Sequence, residues 1–312
     1  MNYFPSHKKQ AGVALITAVL VVALAATLAV ALLAQQSKAL SRAERGIGRA
    51  QSSLTAAPAL DWARAILAEP QSQTYVHRRQ TWAQPIIGQP IEGASVAGRL
   101  SDESAKFNIN NLVTDSGSAS TADIALFKRL LSKLGIHESL ADSITDWIDI
   151  DREPVANTGA EDRYYLGLAS PHRTANRRIV QLEELLFVRG VTVETFNRLR
   201  PFVTALPKRT RLNLNTVSSE VMSALFVATP EEDIKHFLRA REDDAFIDLN
   251  DAKKRFPKLD AATVDQFAGV GSAYFLAELS VTQESSQLRQ QALLHRPTGT
   301  TKWPLVVWVK AS

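Results

Sequence analysis

The residue pattern implies an α+β chain in which a helical block interrupts a small sheet. An unbroken apolar run opens it at Val13–Ala34. Strand-like segments occupy Ala94–Leu100 and Phe107–Ile109 and return after Ala273. Between them the apolar spacing is helical, and strands, helices and strands again in that order describe one domain inserted into another. The 312-residue length agrees, being long for one ordinary domain.

The apolar run contains no charge, glycine or proline, and only Thr17 and Thr27 are polar. As a helix it spans roughly 33 Å, enough for a bilayer core of roughly 30 Å. Lys8 and Lys9 precede it, and Gly12 stands at its edge. Three readings fit: a secretory signal cut near Ala29-Val30-Ala31, an uncleaved anchor, or a leader cut after Gly12, where a glycine lets an extended chain enter a protease. Leu33, Leu40, Ile47 and Leu54 recur every seven residues, so the helix continues past the membrane. Gly46 and Gly48 weaken it, and Pro58 is expected to interrupt it before a further helix at Asp61–Leu67.

A loop follows, rich in proline and glycine (Pro85, Gly88, Pro90, Gly93, Gly98), then the first strands. Ser116–Thr121 reads as a linker. Ile124, Phe127, Leu131 and Leu134 then share a helical face, as do Leu140, Ile144, Trp147 and Ile148. Further helices are expected near 181–188, 192–200, 217–227, 231–241 and 261–268, and strands at Tyr274–Val281, Gln287–Leu294 and Leu305–Val309.

Composition excludes several functions. The 36 basic and 32 acidic residues give a charge of +4, too small and too spread out for a nucleic-acid protein. Without cysteine there is no disulfide, thiolate nucleophile or thiolate metal ligand, but an oxidising compartment stays open. No P-loop, H-E-x-x-H, G-x-S-x-G or dinucleotide fingerprint occurs, and the histidines are scattered. Two stretches, Leu182–Leu199 and Leu212–Leu225, have the outline of helix-hairpin-helix units. DNA binding by such units needs two glycines around an apolar residue. Gly190 stands alone, and Gly269-Val270-Gly271 leads into a strand. Arg177-Arg178 and Lys253-Lys254-Arg255 read as solvated helix ends or loops.

The densest polar constellation is acidic. Asp146, Asp149, Asp151, Glu153, Glu161 and Asp162 fall within seventeen residues, on a segment broken by Pro154 and Gly159. Calcium takes six to eight oxygen ligands, which such a loop can converge; the spacing is not that of an EF-hand, and no nitrogen or sulfur donor suggests zinc or copper. A solvated loop with Glu161 and Asp162 at the start of a helix fits the same residues.

Lys9 through Leu24 resembles the start of the type II secretion minor pseudopilins of the K type, and Phe107-Asn-Ile-Asn-Asn-Leu-Val113 resembles a signature of that family, though a strand ending in an asparagine turn also describes it. The resemblance covers nearly the whole chain. It implies cleavage between Gly12 and Val13 by prepilin peptidase, with methylation of the new N-terminus. Most pilins carry glutamate at the fifth mature position; Thr17 stands there, a departure the K family shares. The implied layout is a leader at 1–12, a transmembrane and stalk helix at 13–60, a pilin-like α/β domain at 61–112, an inserted helical domain at 113–271, and returning strands at 272–312. It also implies a structural calcium ion in the helical domain, for which Asp149, Asp151, Glu161 and Asp162 are the chosen ligands. The implied partners are the other minor pseudopilins of a tip complex, prepilin peptidase, the inner-membrane assembly platform and the lipid bilayer, with no nucleic acid. The implied role is not enzymatic: a subunit at the pseudopilus tip, inner-membrane anchored with its bulk in the periplasm, which helps start assembly. Two alternatives from other classes are a periplasmic DNA-binding protein of an uptake pilus and a calcium-stabilised secreted hydrolase.

Overall fold

The computed structural model describes residues 11–69, 74–91, 94–283, 286–297 and 303–311. Residues 1–10, most of the expected leader at 1–12, lie outside them. Helix α1 (Ala11–Leu67) is 57 residues long, and its segment Leu15–Leu40 is apolar enough to cross a membrane, with none of it buried. Gly12 and Val13 fall in its first turn. Leu33 and Leu40 are exposed, while the side chains of Ile47 and Leu54 lie outside those described.

Pro58 does not interrupt α1, contrary to the expectation from its sequence. A helix-interior proline costs about 3 kcal/mol. Directly after it Ala59, Leu60, Ala63 and Leu67 lie buried against the sheet, and two buried leucines at about 1.5–3 kcal/mol each offset that cost. The expected separate helix at Asp61–Leu67 is therefore the docked end of α1.

Strands β1 (Ile86–Ile91) and β2 (Ala94–Asp102) follow. β1 was not expected from its prolines and glycines. It forms at the sheet edge, where Pro90 can lack an N–H, and Gly88 takes φ +60° within the irregular register between Ile86 and Gln89. The insertion then carries β3 (Phe107–Asn108), α2 (Thr121–Lys133), α3 (Leu140–Ile148), α4 (Asp162–Tyr165), α5 (Val193–Leu199), β4 (Val203–Thr204) and β5 (Leu212–Asn213). It continues through α6 (Ser219–Leu225), α7 (Glu231–Asp243), α8 (Leu249–Arg255), α9 (Ala261–Phe267) and β6 (Ala268–Gly269). The chain returns as β7 (Tyr274–Gln283), β8 (Ser286–His295) and β9 (Leu305–Ala311).

The sheet is antiparallel throughout, in the order β1-β2-β7-β8-β9. The chain leaves it at Asp102 and re-enters beside the point of departure, with Asp102 opposite Phe275. A helical block can be inserted there without breaking the ladder, because β2 and β7 remain partners. β3, expected to belong with the sheet, instead pairs in parallel with β4 inside the block. The Asn108–Asn111 turn explains this. Asn110 donates to the carbonyls of Ile179 and Leu206 and accepts from the Ile179 N–H, so its amide ties the segment to the block.

Two cores result. One joins α1 to the sheet through Leu60, Leu67, Val96, Phe275 and Leu279. The larger fills the block, where Phe107 stacks on Phe127 and Phe237 on Phe246. The hairpin-like stretches serve as scaffold here. Leu182–Phe187 is a 3-10 turn with a capping box, and Gly190, at φ +83°, turns the chain toward α5. Lys253, Lys254 and Arg255 are the last turn of α8, where Arg255 lies over Phe246.

Candidate metal centre and anchor helix

The acidic segment is built on the end of α3. The whole of α3 is buried, so Asp146 in its last turn and Asp149 just beyond it are carried inside. Asp149 is 1% exposed and Glu161, from the start of α4, is 5% exposed. Between them the loop turns through Ala156 at φ 54°, a left-handed conformation that costs energy for a residue other than glycine. The Asp151 carboxylate accepts from the Glu153 N–H at 2.9 Å, which folds the loop back. One carboxylate oxygen each from Asp149, Asp151 and Glu161 lies within 4.8 Å of the others.

Several oxygens of the acidic cluster lack donors among the described residues. Both carboxylate oxygens of Asp149, Oδ2 of Asp146 and Oε1 of Glu161 are buried with no hydrogen-bond partner among the described residues. Burial, then the charges of Asp151, Asp146 and Glu161, pushes the Asp149 carboxyl up to about 7. Burial and the charge of Asp146 push Glu161 up to about 7 as well. Asp146 is raised by burial first, then by Asp142 and Asp151, against the hydrogen bond it accepts from Val155 N–H at 2.8 Å. Leaving several carboxylates buried, adjacent and without donors is unfavourable. The arrangement fits a hard divalent cation: oxygens on opposite sides of calcium stand ~4.6–5.2 Å apart, and the donor set is all oxygen.

Of the four ligands expected from the sequence, three converge. Asp162 does not join them. Its Oδ1 accepts from Thr174 N–H at 3.0 Å and Thr174 Oγ1 at 2.9 Å, and Arg173 stands 4.0 Å from Oδ2. Those hydrogen bonds and Arg173 hold its carboxyl below the usual range despite some desolvation. Asp146 adjoins the converging three: its Oδ2 is buried with no hydrogen-bond partner among the described residues and its charge acts on Asp149, and sequence reading had placed it in the cluster without choosing it. The signal was there: Asp146 and Asp149 are three apart on one helix end, hence on one face. Gly159 is the other missed residue. A Cβ there would stand 2.0 Å from Asp146 Oδ2 and 2.8 Å from the Val155 backbone, so glycine is required for the loop to close over Asp146. Neighbouring Asp142 is satisfied separately, by Lys128 at 2.7 Å and Thr158 Oγ1 at 2.6 Å.

Among the described residues one helix is apolar enough to cross a membrane, unburied over Leu15–Leu40 and laid on an antiparallel sheet over its last turns, and this defines a pilin-like subunit with one potential membrane anchor. The model of a family described as "Type II secretion system (T2SS), protein K" matches residues 105–208. Type II secretion system protein K of Pectobacterium carotovorum subsp. carotovorum is 31% identical over 309 residues, 93% of either chain. The Pseudomonas aeruginosa protein of that name is 32% identical, covering 88% of this chain and 86% of its own. Among solved structures, a chain of the GspK-GspI-GspJ complex from the enterotoxigenic Escherichia coli type 2 secretion system superposes with a TM-score of 0.76 at 25% identity, covering 87% of this chain and 99% of that one. The chain belongs to the type II secretion system protein K family. It is a minor pseudopilin of type II secretion, and its single N-terminal apolar helix is consistent with a single-pass membrane anchor.

Proposed function

We propose that this chain caps the type II secretion pseudopilus as a calcium-stabilised, non-catalytic subunit. Prepilin peptidase cuts it between Gly12 and Val13, and the new N-terminus is methylated. The Leu15–Leu40 segment then lies in the inner membrane, with the sheet and helical block in the periplasm. Other minor pseudopilins assemble with it, as in the solved complex of its relative, and the inner-membrane platform adds later subunits below.

The observation that carries the tip position is Thr17 at the fifth mature place. A carboxylate there would meet the amine of the subunit above, and an unpaired one would be costly in lipid. An uncharged Thr17 suits a subunit with none above. Bulk supports the same reading, since a whole extra domain repeated along a shaft would clash.

Calcium would be held by Asp149, Asp151 and Glu161, with Asp146 completing the set. Bound there, it supplies neutralising charge and ties the end of α3 to the start of α4. The donor-free oxygens of Asp146, Asp149 and Glu161 support this assignment.

The test is the mature N-terminus. Mass spectrometry of the membrane-extracted protein should find it at Val13, and Gly12→Leu should leave the precursor uncut but inserted. A mature chain beginning at Leu32 would instead make the segment a secretory signal. Cross-linking should place one copy per assembly, at the end. Repeated copies along the shaft, or better assembly of Thr17→Glu, would refute the tip position.

A further inference from the structure

Beyond α1, a run of exposed apolar side chains lies at β9. Trp303, Leu305, Val306, Val307 and Val309 are each between 38% and 56% exposed. β9 is the last strand of the sheet, and among the described residues no strand pairs with its outer side. No charge occurs from Trp303 to Val309. Proteins usually blunt such edges with charges, prolines or bulges, because open N–H and C=O groups recruit another strand. Here Pro304 and Lys310 guard the ends, and a register shift opposite Leu293 and Leu294 is the only device between them.

The strand is also held in place. Arg64 of α1 donates to the Pro304 carbonyl at 2.7 Å and sits over Trp303, while Lys310 pairs with Glu183 of the helical block at 2.7 Å. On the α1 side, Val306 and Val309 stand opposite Leu294 and Ala292, which belong to the core under the helix. α1 packs over β7 and β8, so this apolar surface continues past the helix onto the open edge.

We propose that β9 is the edge to which a different minor pseudopilin adds an extended, apolar strand. This rests on the assembly reading above. A second copy of this chain paired antiparallel on β9 is the wrong occupant. Two identical edges pairing antiparallel are related by a two-fold axis normal to the sheet, which places both α1 helices on one face and reverses their directions. The two Leu15–Leu40 segments would then point oppositely and could not enter one bilayer. A different subunit escapes this constraint, because its strand can meet β9 in a heterologous contact with its own anchor parallel to α1. Main-chain hydrogen bonds would provide affinity, and alternate apolar side chains covering Val306 and Val309 would provide register.

The chain has no cysteine, so Val307→Cys creates a unique thiol. The experiment uses the full chain in detergent, alone and co-expressed with the other minor pseudopilins of its own system. Maleimide should label Val307→Cys at least tenfold more slowly in the complex, while Ile87→Cys on the opposite edge labels equally in both. Leu305→Glu with Val309→Glu should reduce co-purification at least tenfold with the melting temperature unchanged. Equal labelling of Val307→Cys in both states would overturn the proposal, as would its efficient disulfide cross-linking to a second copy. If the wild type fails to co-purify at all, the assembly reading falls too; if it co-purifies and Val307→Cys stays reactive, only the β9 assignment falls.

Discussion

Asp102 and Asp149 are both buried carboxylates at the end of a regular element, one closing β2 and the other following α3. Asp102 accepts from Ser104 N–H at 2.8 Å, Asn213 Nδ2 at 2.9 Å and Thr216 Oγ1 at 2.6 Å, with Ser272 also donating. Asp149 accepts from nothing among the described residues. Both carboxyls are pushed up by burial, but the hydrogen bonds on Asp102 oppose that push, whereas the neighbours of Asp149 are acids that add to it. Asp102 needs no ion. Its donors come from the insertion and from the return to β7, so it acts as the peg that fixes the block on the sheet. The Asp149 carboxylate has no such donors among the described residues, and that contrast is the ground on which calcium is proposed for it.

The largest expected effect separates the two directly. Chelation should lower the melting temperature by an amount equivalent to ~4 kcal/mol when calcium is present at about a thousand times its dissociation constant. Asp149→Ala with Asp151→Ala should remove the calcium response entirely. An equal melting curve with and without calcium would leave a solvated acidic loop. Next, Asp102→Ala should cost about 3 kcal/mol, since it strands buried donors on three segments. Calcium titrations of that variant should match the wild type; a lost response would couple the two regions.

pH dependence sharpens the contrast. Asp149 and Glu161 have folded values of about 7, above the ordinary carboxylate range. For raised acids the folded state holds more protons than the unfolded one, so stability is fully present below about pH 4 and is lost as pH rises through about 7. Melting of the calcium-free protein should therefore fall between pH 5 and 8, and calcium should flatten the trend. A rise over that interval would contradict the burial of these groups beside other acids. Gly159→Ala is expected to weaken calcium binding about tenfold, or ~1.4 kcal/mol, by displacing Asp146, as calorimetry would show. Asp162→Ala should do least, shifting melting by no more than about 2 °C and leaving calcium affinity intact. A large loss of affinity would return Asp162 to the ligand set.

The apolar helix at 13–34, the strands near 94–100, 274–281, 287–294 and 305–309 and most helices of the block were legible from periodicity and length, which depend on neighbours a few residues away. The acidic composition of 146–162 was equally legible. Which of its carboxylates meet was settled by distant contacts: Thr174 draws Asp162 aside, and Gly159 lets the loop close on Asp146. The same holds for β1, for the parallel pairing of β3 with β4, and for the continuity of α1 through Pro58. Local propensity opposed or ignored each of them, and burial against residues far along the chain outweighed it. Apolar spacing states which face must be covered. It does not state what covers it, because that partner lies elsewhere in the sequence and is selected only when the packed surfaces meet.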